Sequence, residues 1–121
     1  MSILYEGRHA AEFLVSEANN YRSRDAVTIA YGSSLDAGTV LGQVSSSGKY
    51  KPFSASATDG SENPAAVLYF PTDASEGDVE ATVIARDAEV KGEILGFPSG
   101  ITNTQRNSAL SALADAGIVA R

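Results

Sequence analysis

Short strand-like segments, separated by turn residues, run through the middle of this chain and limit its fold more than any other feature. The segments cover residues 26–31, 35–44, 49–53, 65–70, 79–86 and 90–97. They are rich in β-branched residues or alternate in polarity, and Gly, Pro, Ser and Asp lie between them. Residues 45–48 are a predicted hairpin turn, and Gly42 indicates a bulge or a close backbone approach. The pattern predicts a mainly β protein.

Two of these segments also predict how their side chains are arranged. Residues 65–70 form an apolar run, which is typical of a strand buried on both faces. Residues 79–86 alternate instead. One predicted face carries Val79, Ala81, Val83 and Ala85, and the other carries Glu80, Thr82, Ile84 and Arg86. This alternation is typical of a β-strand.

A single helix is predicted near the C-terminus. Thr102 and Gln105 have the spacing of a capping box, in which two side chains satisfy backbone groups at the start of a helix. Apolar residues then recur on one predicted helical face: Ala109, Leu110, Leu113 and Ala116. Gly117 is placed to end the helix, and residues 118–120 are short and apolar. We expect those last residues to form a closing strand.

Length and charge exclude several classes of protein. A chain of 121 residues fits one domain. Its formal net charge is -6 and it has no basic cluster, so we expect no nucleic-acid partner. No apolar run approaches the roughly 20 residues that span a bilayer, and no secretory signal is evident, so we expect no membrane association. The absence of Cys excludes disulfides and thiolate metal sites.

The first 25 residues show no sustained periodicity but contain two small apolar groups. One group is Ile3, Leu4 and Tyr5, and the other is Phe13, Leu14 and Val15. A frayed terminus is one interpretation. We favour an extended arm that becomes ordered against a partner, because two apolar groups on a disordered tail would stay in water. The predicted organisation is an arm over residues 1–25 and a single β-rich domain over residues 26–121.

No recognisable catalytic or metal-binding motif occurs in the sequence. His9 is the only histidine and lies in the predicted arm, where a catalytic triad would lack the rigid support that its imidazole needs. Asp73, Glu76 and Asp78 do not match a calcium-binding loop, so a solvated acidic turn is favoured. We therefore expect no catalytic residue, no metal and no cofactor.

Glu89 and Glu93 could be offered as a carboxylate pair for glycoside hydrolysis. Such pairs need a cleft that separates the pKa values of the two carboxyl groups, and the chain has few aromatic residues to line one. An enzyme is therefore not expected.

Five stretches of the chain follow one another in a characteristic order. They are AAEFLVSEANNYRSRDAVTIA, LDAGTVLGQVSSSGKYKPF, ATDGSENPAAVLYFPTDAS, VEATVIARDAEVKGEILGFP and ITNTQRNSALSALADAGIV. Taken together, with the Asp59–Gly60 loop before a small apolar strand and a late helix, they resemble the phage lambda head decoration protein family. The resemblance covers most of the chain.

The resemblance implies a β-rich fold of the β-clip type with little helix. It also implies homotrimers on the outer face of the virion capsid, which clamp neighbouring copies of the major capsid protein after the shell expands. In this family the N-terminal arm adds to β structure of the capsid protein, which is a case of strand addition. The capsid-binding arm is then expected to use Ile3, Leu4, Tyr5, Phe13, Leu14 and Val15. The protein would be made in the host cytoplasm and would act as a cement for the shell.

Two features depart from the family pattern. The lambda arm is longer and richer in Thr, Pro and Gly, whereas this arm carries an apolar group at residues 13–15 and several charges. A Trp-Pro of the family corresponds to Phe97-Pro98 here. The alternatives are another phage virion β domain, such as a tail or spike-associated binding module, and a small β-clip enzyme or sugar-binding module.

Overall fold

The computed structural model describes residues 13–18, 22–32 and 34–121. Within these ranges the chain is mainly β with one α-helix, which confirms the predicted fold class. The strands are β1 (Leu14–Glu17), β2 (Arg24–Ile29), β3 (Ser34–Leu35), β4 (Val40–Gln43), β5 (Tyr50–Pro52), β6 (Pro64–Leu68), β7 (Thr72–Asp73), β8 (Val79–Ile84), β9 (Ala88–Val90) and β10 (Ile118–Ala120). The helix, α1, spans Asn103–Asp115, and a 3-10 helix spans Gly92–Ile94.

Five of the strands close into a barrel in the order β2-β5-β4-β6-β8. β2 and β8 pair antiparallel along their whole length. β4 and β5 form the predicted hairpin around residues 45–48, where the Val44 N–H donates to the Lys49 carbonyl at 2.8 Å. β2 meets β5 in parallel, and this contact closes the barrel. Each of these strands therefore has a neighbour on both sides, with β2 joined to β5 at Ile29 opposite Tyr50.

The other strands form two smaller sheets. β1, β9 and β10 make one sheet in that order, with β1 antiparallel and β10 parallel to β9. β3 and β7 form a two-residue antiparallel pair. The predicted strand over residues 90–97 is wrong, because β9 ends at Val90 and the chain turns into the 3-10 helix. Gly92 permits that turn close to β10, since a Cβ at this position would lie 3.1 Å from the Cβ of Ala120.

Alternate residues of the barrel strands fill two separate cores. The inner core consists of Ile29, Leu41, Ala66, Leu68, Ala74 and Val83. The outer core consists of Phe13, Val40, Phe53, Val67, Ile84, Ala88, Val90, Leu95, Ala109, Leu113 and Ile118. Successive strand side chains point to opposite faces, so a strand such as β6 contributes to both cores. Residues 66–68 are fully buried, as predicted, but burial of the whole run over residues 65–70 is wrong, because β6 ends at Leu68 and Phe70 is 48% exposed. Ile84 is buried in the outer core.

The helix begins at the predicted cap. The Gln105 N–H donates to the Thr102 hydroxyl at 3.1 Å, and the Thr102 N–H donates to the Gln105 side-chain oxygen at 3.1 Å. These two bonds complete the capping box. Gly117 follows the last turn with φ 93°, a conformation that favours glycine. Ala109 and Leu113 are buried, but Ala116, which the sequence placed on the same face, is exposed because the helix has ended there.

Loss of the cap should have a small and specific effect on stability. Thr102→Ala removes the acceptor for the Gln105 N–H. We expect the free energy of unfolding to fall by about 1 kcal/mol. Urea denaturation measures this loss, and Thr104→Ala, an exposed threonine in the same turn, is the matched control. A loss of the same size in both variants would contradict the capping role.

Gly42 lies where a loop crosses the barrel wall. A Cβ at this position would lie 2.5 Å from the Ser61 carbonyl oxygen and 2.6 Å from the Ser61 Cα. The pairing of β4 with β6 also shifts register between Leu41 and Gly42. Both the bulge and the close approach that the sequence indicated are therefore present. Glycine allows the loop over residues 54–63 to pack directly on β4.

Gly42→Ala should destabilise the protein because the backbone of Ser61 must move to admit a methyl group. Overpacking of this kind costs about 1–3 kcal/mol. Gly77→Ala is the matched control, since a Cβ there meets nothing within 4 Å and Gly77 has no positive φ. Its stability should stay unchanged or rise slightly. Thermal unfolding of the two variants side by side checks the prediction, and equal midpoints would refute it.

Candidate functional site

The structure places the predicted arm residues in three different environments. Ile3, Leu4 and Tyr5 lie outside the described residues, as does His9. Phe13 is 0% exposed and belongs to the outer core. Leu14 is partly buried against that core, and Val15 is 48% exposed. Capsid contact by the arm stays a prediction, and of the second apolar group only Val15 offers a large exposed side chain.

β structure begins before residue 26, where the sequence placed the start of the domain. β1 pairs with β9 from Leu14 opposite Val90. The Lys91 N–H donates to the Phe13 carbonyl at 2.7 Å, and the Ala18 N–H donates to the Asp87 carbonyl at 3.0 Å. β2 already begins at Arg24. These bonds join the described part of residues 13–25 to strands of the predicted β-rich domain, and the boundary between arm and domain stays a prediction.

A cluster of five side chains holds β1 against the barrel, and we call it the N-terminal anchor: Phe13, Glu17, Ser23, Arg24 and Tyr69. The Arg24 guanidinium donates from Nε to both Glu17 carboxylate oxygens at 3.2 Å and makes a further close contact through Nη2. It also donates to the Tyr69 hydroxyl at 3.0 Å and lies 4.2 Å from the centre of the Tyr69 ring. The Tyr69 ring meets Phe13 edge to face, with 6.5 Å between ring centroids.

The charged side chains of the anchor are paired with other members of the anchor. The Ser23 hydroxyl is buried and donates to the Glu17 carboxylate at 2.5 Å. The Arg24 guanidinium, followed by the Ser23 hydroxyl, holds the pKa of Glu17 below its ordinary value despite the opposing effect of burial. The side chains of Arg24 and Glu17 are 25% and 16% exposed. A forked, largely shielded ion pair of this kind fixes geometry better than a flexible surface pair does.

Exposed apolar surface lies beside the anchor. Phe70 is 48% exposed, and its ring packs edge to face on Tyr69 with 4.7 Å between centroids. It borders an open cleft of about 380 Å³ with Arg24, Ala26 and Thr82. β1 lies at the edge of its sheet in the described part of the chain. An edge strand and an exposed aromatic side chain suit contact with another protein.

Two of the acidic residues that the sequence singled out, Asp73 and Asp78, accept hydrogen bonds from other residues of the chain. Asp73 accepts from the Ser75 N–H and hydroxyl. Asp78 accepts from the Tyr31 N–H at 2.7 Å and from Lys49 Nζ at 2.5 Å, and these bonds lower its pKa. No group of three His, Cys, Asp or Glu residues that could hold a metal ion occurs among the residues described.

Glu89 makes two bonds across its own sheet. It accepts from the Ser16 hydroxyl at 2.8 Å and from Arg121 Nε at 2.6 Å, which lower its pKa. Glu93 is an exposed residue of the 3-10 helix. Glu89 thus links β1 and the C-terminal residue to β9.

Sequence reasoning missed the anchor as a unit. Glu17 and Arg24 are seven residues apart, a spacing that no regular element explains, and Tyr69 lies 45 residues beyond Arg24. The opposite charges on either side of a turn were the only local signal.

The helices in the described part of the chain are too short or too polar to span a bilayer.

One comparison with known proteins identifies the family. No curated protein matches the chain in sequence. The family model described as bacteriophage lambda head decoration protein D matches residues 3–118, which is nearly the whole chain and includes both the anchor and α1. The resemblance read from the five stretches is thereby confirmed, and the chain belongs to the bacteriophage lambda head decoration protein D family.

Proposed function

We propose that this protein is a cement subunit that binds the outer face of the expanded phage capsid as a homotrimer. Its partner is the major capsid protein, and its role is to stabilise the shell against the pressure of packaged DNA. The observation that carries the proposal is the family match over residues 3–118, which supports a capsid decoration role. To this capsid role the proposal adds assembly as a trimer, attachment to the outer face and resistance to internal pressure.

The described surface supports a role in protein contact. Val15 and Phe70 are exposed apolar side chains, and β1 is an edge strand that leads back to the first twelve residues. Those residues carry Ile3, Leu4 and Tyr5. We propose that this segment contacts the capsid protein and that the anchored β1 is its base. The role requires no chemical step, cofactor or metal, and we propose that the protein is not an enzyme.

Binding alone can stabilise a capsid. A ligand that binds only the assembled, expanded lattice lowers the free energy of that lattice by mass action. A trimer joins three arms, so that attachment of one arm raises the effective concentration of the other two at their sites. The acidic net charge of -6 keeps such a protein from binding the DNA that the shell contains. Modest affinity at each site can therefore have a large effect over a whole shell.

Deletion of residues 2–12 tests the role of the arm. A deletion of residues 2–15 would also remove Phe13 and half of β1, so it would confuse binding with folding. Deletion of residues 2–12 spares both. We expect the truncated protein to lose at least tenfold in affinity for expanded shells, because it loses the linked arms.

The matched control keeps the length of the chain. A full-length variant with Ile3, Leu4 and Tyr5 all changed to Ser should show a similar loss in affinity, because it removes only the apolar contacts. Co-sedimentation with expanded shells and with unexpanded procapsids measures both variants. Binding of the truncated protein as tight as that of the full chain would overturn the proposed role of the arm.

A further inference from the structure

We propose that Arg24 is a positioning residue for capsid binding, because it fixes the strand from which the N-terminal segment leaves the domain. The inference rests on the proposed function and deepens it. Arg24 is the first residue of β2 in the barrel wall, whereas Glu17 is the last residue of β1 in a different sheet. Their forked contact is thus a bond between two sheets.

The two ends of β1 are held by different forces. At its start, Phe13 is buried in the outer core and its carbonyl accepts from the Lys91 N–H at 2.7 Å. At its end, Glu17 accepts from Arg24 and from the buried Ser23 hydroxyl. A strand of four residues with one paired edge has few backbone bonds of its own. The side chains at its two ends therefore decide how often it detaches.

Tyr69 connects the two ends. Its hydroxyl accepts from Arg24 at 3.0 Å, its ring lies under the guanidinium, and the same ring packs on Phe13. Loss of the Arg24 side chain would leave Glu17 with the Ser23 hydroxyl but without its guanidinium partner, and would also remove the group that packs over the Tyr69 ring. Since Phe70 packs on Tyr69, the exposed aromatic surface depends on the same contact.

A detached β1 would leave the N-terminal segment without a fixed origin. The apparent affinity of a protein falls in proportion to the fraction that occupies its binding-competent conformation. If Arg24→Gln reduces the docked fraction of β1 to about a tenth, the dissociation constant for the shell rises about tenfold. We expect the barrel to stay folded in this variant, because the backbone pairing of β2 with β8 does not require the Arg24 side chain.

Hydrogen exchange and capsid affinity, measured on the same full-length variants, test the proposal. In Arg24→Gln, the amides of residues 14–18 and of Lys91 should exchange at least tenfold faster, while barrel amides should not change. Affinity for expanded shells should fall about tenfold. Lys51→Gln is the matched control, because it also removes one positive charge and one ion pair, with Asp59, but lies outside the anchor.

Two milder variants keep the proposal testable if the Arg24→Gln protein does not fold. Tyr69→Phe removes only the hydroxyl that accepts from Arg24, and Arg24→Lys keeps the charge but loses the fork. Both should show smaller changes in the same direction, with the loss of affinity following the rise in exchange. If affinity is unchanged while exchange rises, β1 does not position the arm. If affinity falls while exchange is unchanged, Arg24 contacts the capsid directly, and the positioning role is wrong.

The outcome for the wild-type protein separates this inference from the proposed function. Failure of the wild-type protein to bind expanded shells contradicts the proposed function and the capsid role of Arg24 together. Normal binding by both the wild-type and the Arg24→Gln protein contradicts only the role of Arg24.

Discussion

Replacement of Phe13 by alanine is expected to lower the free energy of unfolding by about 3–5 kcal/mol. Phe13 is 0% exposed, and its ring packs on Tyr69 in the outer core. Removal of a buried aromatic side chain loses its transfer free energy and leaves a cavity, because the surroundings relax only partly. Total stabilities of proteins of this size are about 5–15 kcal/mol, so the loss is a large share of the whole.

Val15→Ala provides the control for Phe13→Ala. Val15 lies two residues away and is 48% exposed, so its replacement should change the stability by no more than about 0.5 kcal/mol. Equilibrium urea denaturation of both variants gives the comparison. Stabilities within experimental error of each other would mean that Phe13 belongs to a free arm and that the domain starts later in the chain.

Leu113→Ala should be almost as costly, with a loss of about 2–5 kcal/mol. Leu113 is 1% exposed and lies on α1, where it packs in the outer core with Ala109 and with residues of the barrel strands. This contact covers the outer face of β6 with the helix. A cavity at this point would loosen the helix from the barrel and weaken the packing of the outer core, to which Val67 and Ile84 also belong.

Ser111→Ala is the control for Leu113→Ala, since Ser111 is an exposed residue of the same helix. Its stability should change by no more than about 0.5 kcal/mol, and alanine is the better helix former. Thermal unfolding followed by circular dichroism compares the two. Negligible losses in both variants would show that α1 is not packed against the barrel.

Local signals in the sequence predicted much of the fold. The capping box of Thr102 and Gln105 and the end of the helix before Gly117 follow from hydrogen bonds within a few residues, so they are readable without tertiary structure. The hairpin at residues 45–48 and the close approach at Gly42 are local in the same sense. The mainly β class follows from the repeated short strands.

Features that depend on distant partners were harder to predict. The alternation of residues 79–86 separates two faces, but it does not show that Val83 fills the inner core and Ile84 the outer core. Ile84 shares the outer core with Phe13 and Leu113, which lie far from it in sequence. The strand pairings that close the barrel, such as β2 with β5, are likewise set by tertiary packing.

Among the described strands, β1 was the least predictable. β1 has no periodic pattern, and it is a strand because β9, more than 70 residues later, supplies its hydrogen bonds. Phe13 looked like part of an arm because residues 1–25 show no sustained periodicity. Its core position depends on Tyr69, whose orientation depends in turn on Arg24. A chain of contacts between separate parts of the sequence leaves no local signal.

Survival of heated particles, measured as purified protein is titrated in, tests the proposed cement function most directly. Undecorated particles filled with long DNA should rupture at a lower temperature than decorated ones, because binding to the expanded lattice stabilises it. Added protein should raise the rupture temperature until a plateau is reached near one chain per capsid subunit, without a cofactor or substrate. Filled particles that rupture at the same temperature with and without bound protein would contradict the account.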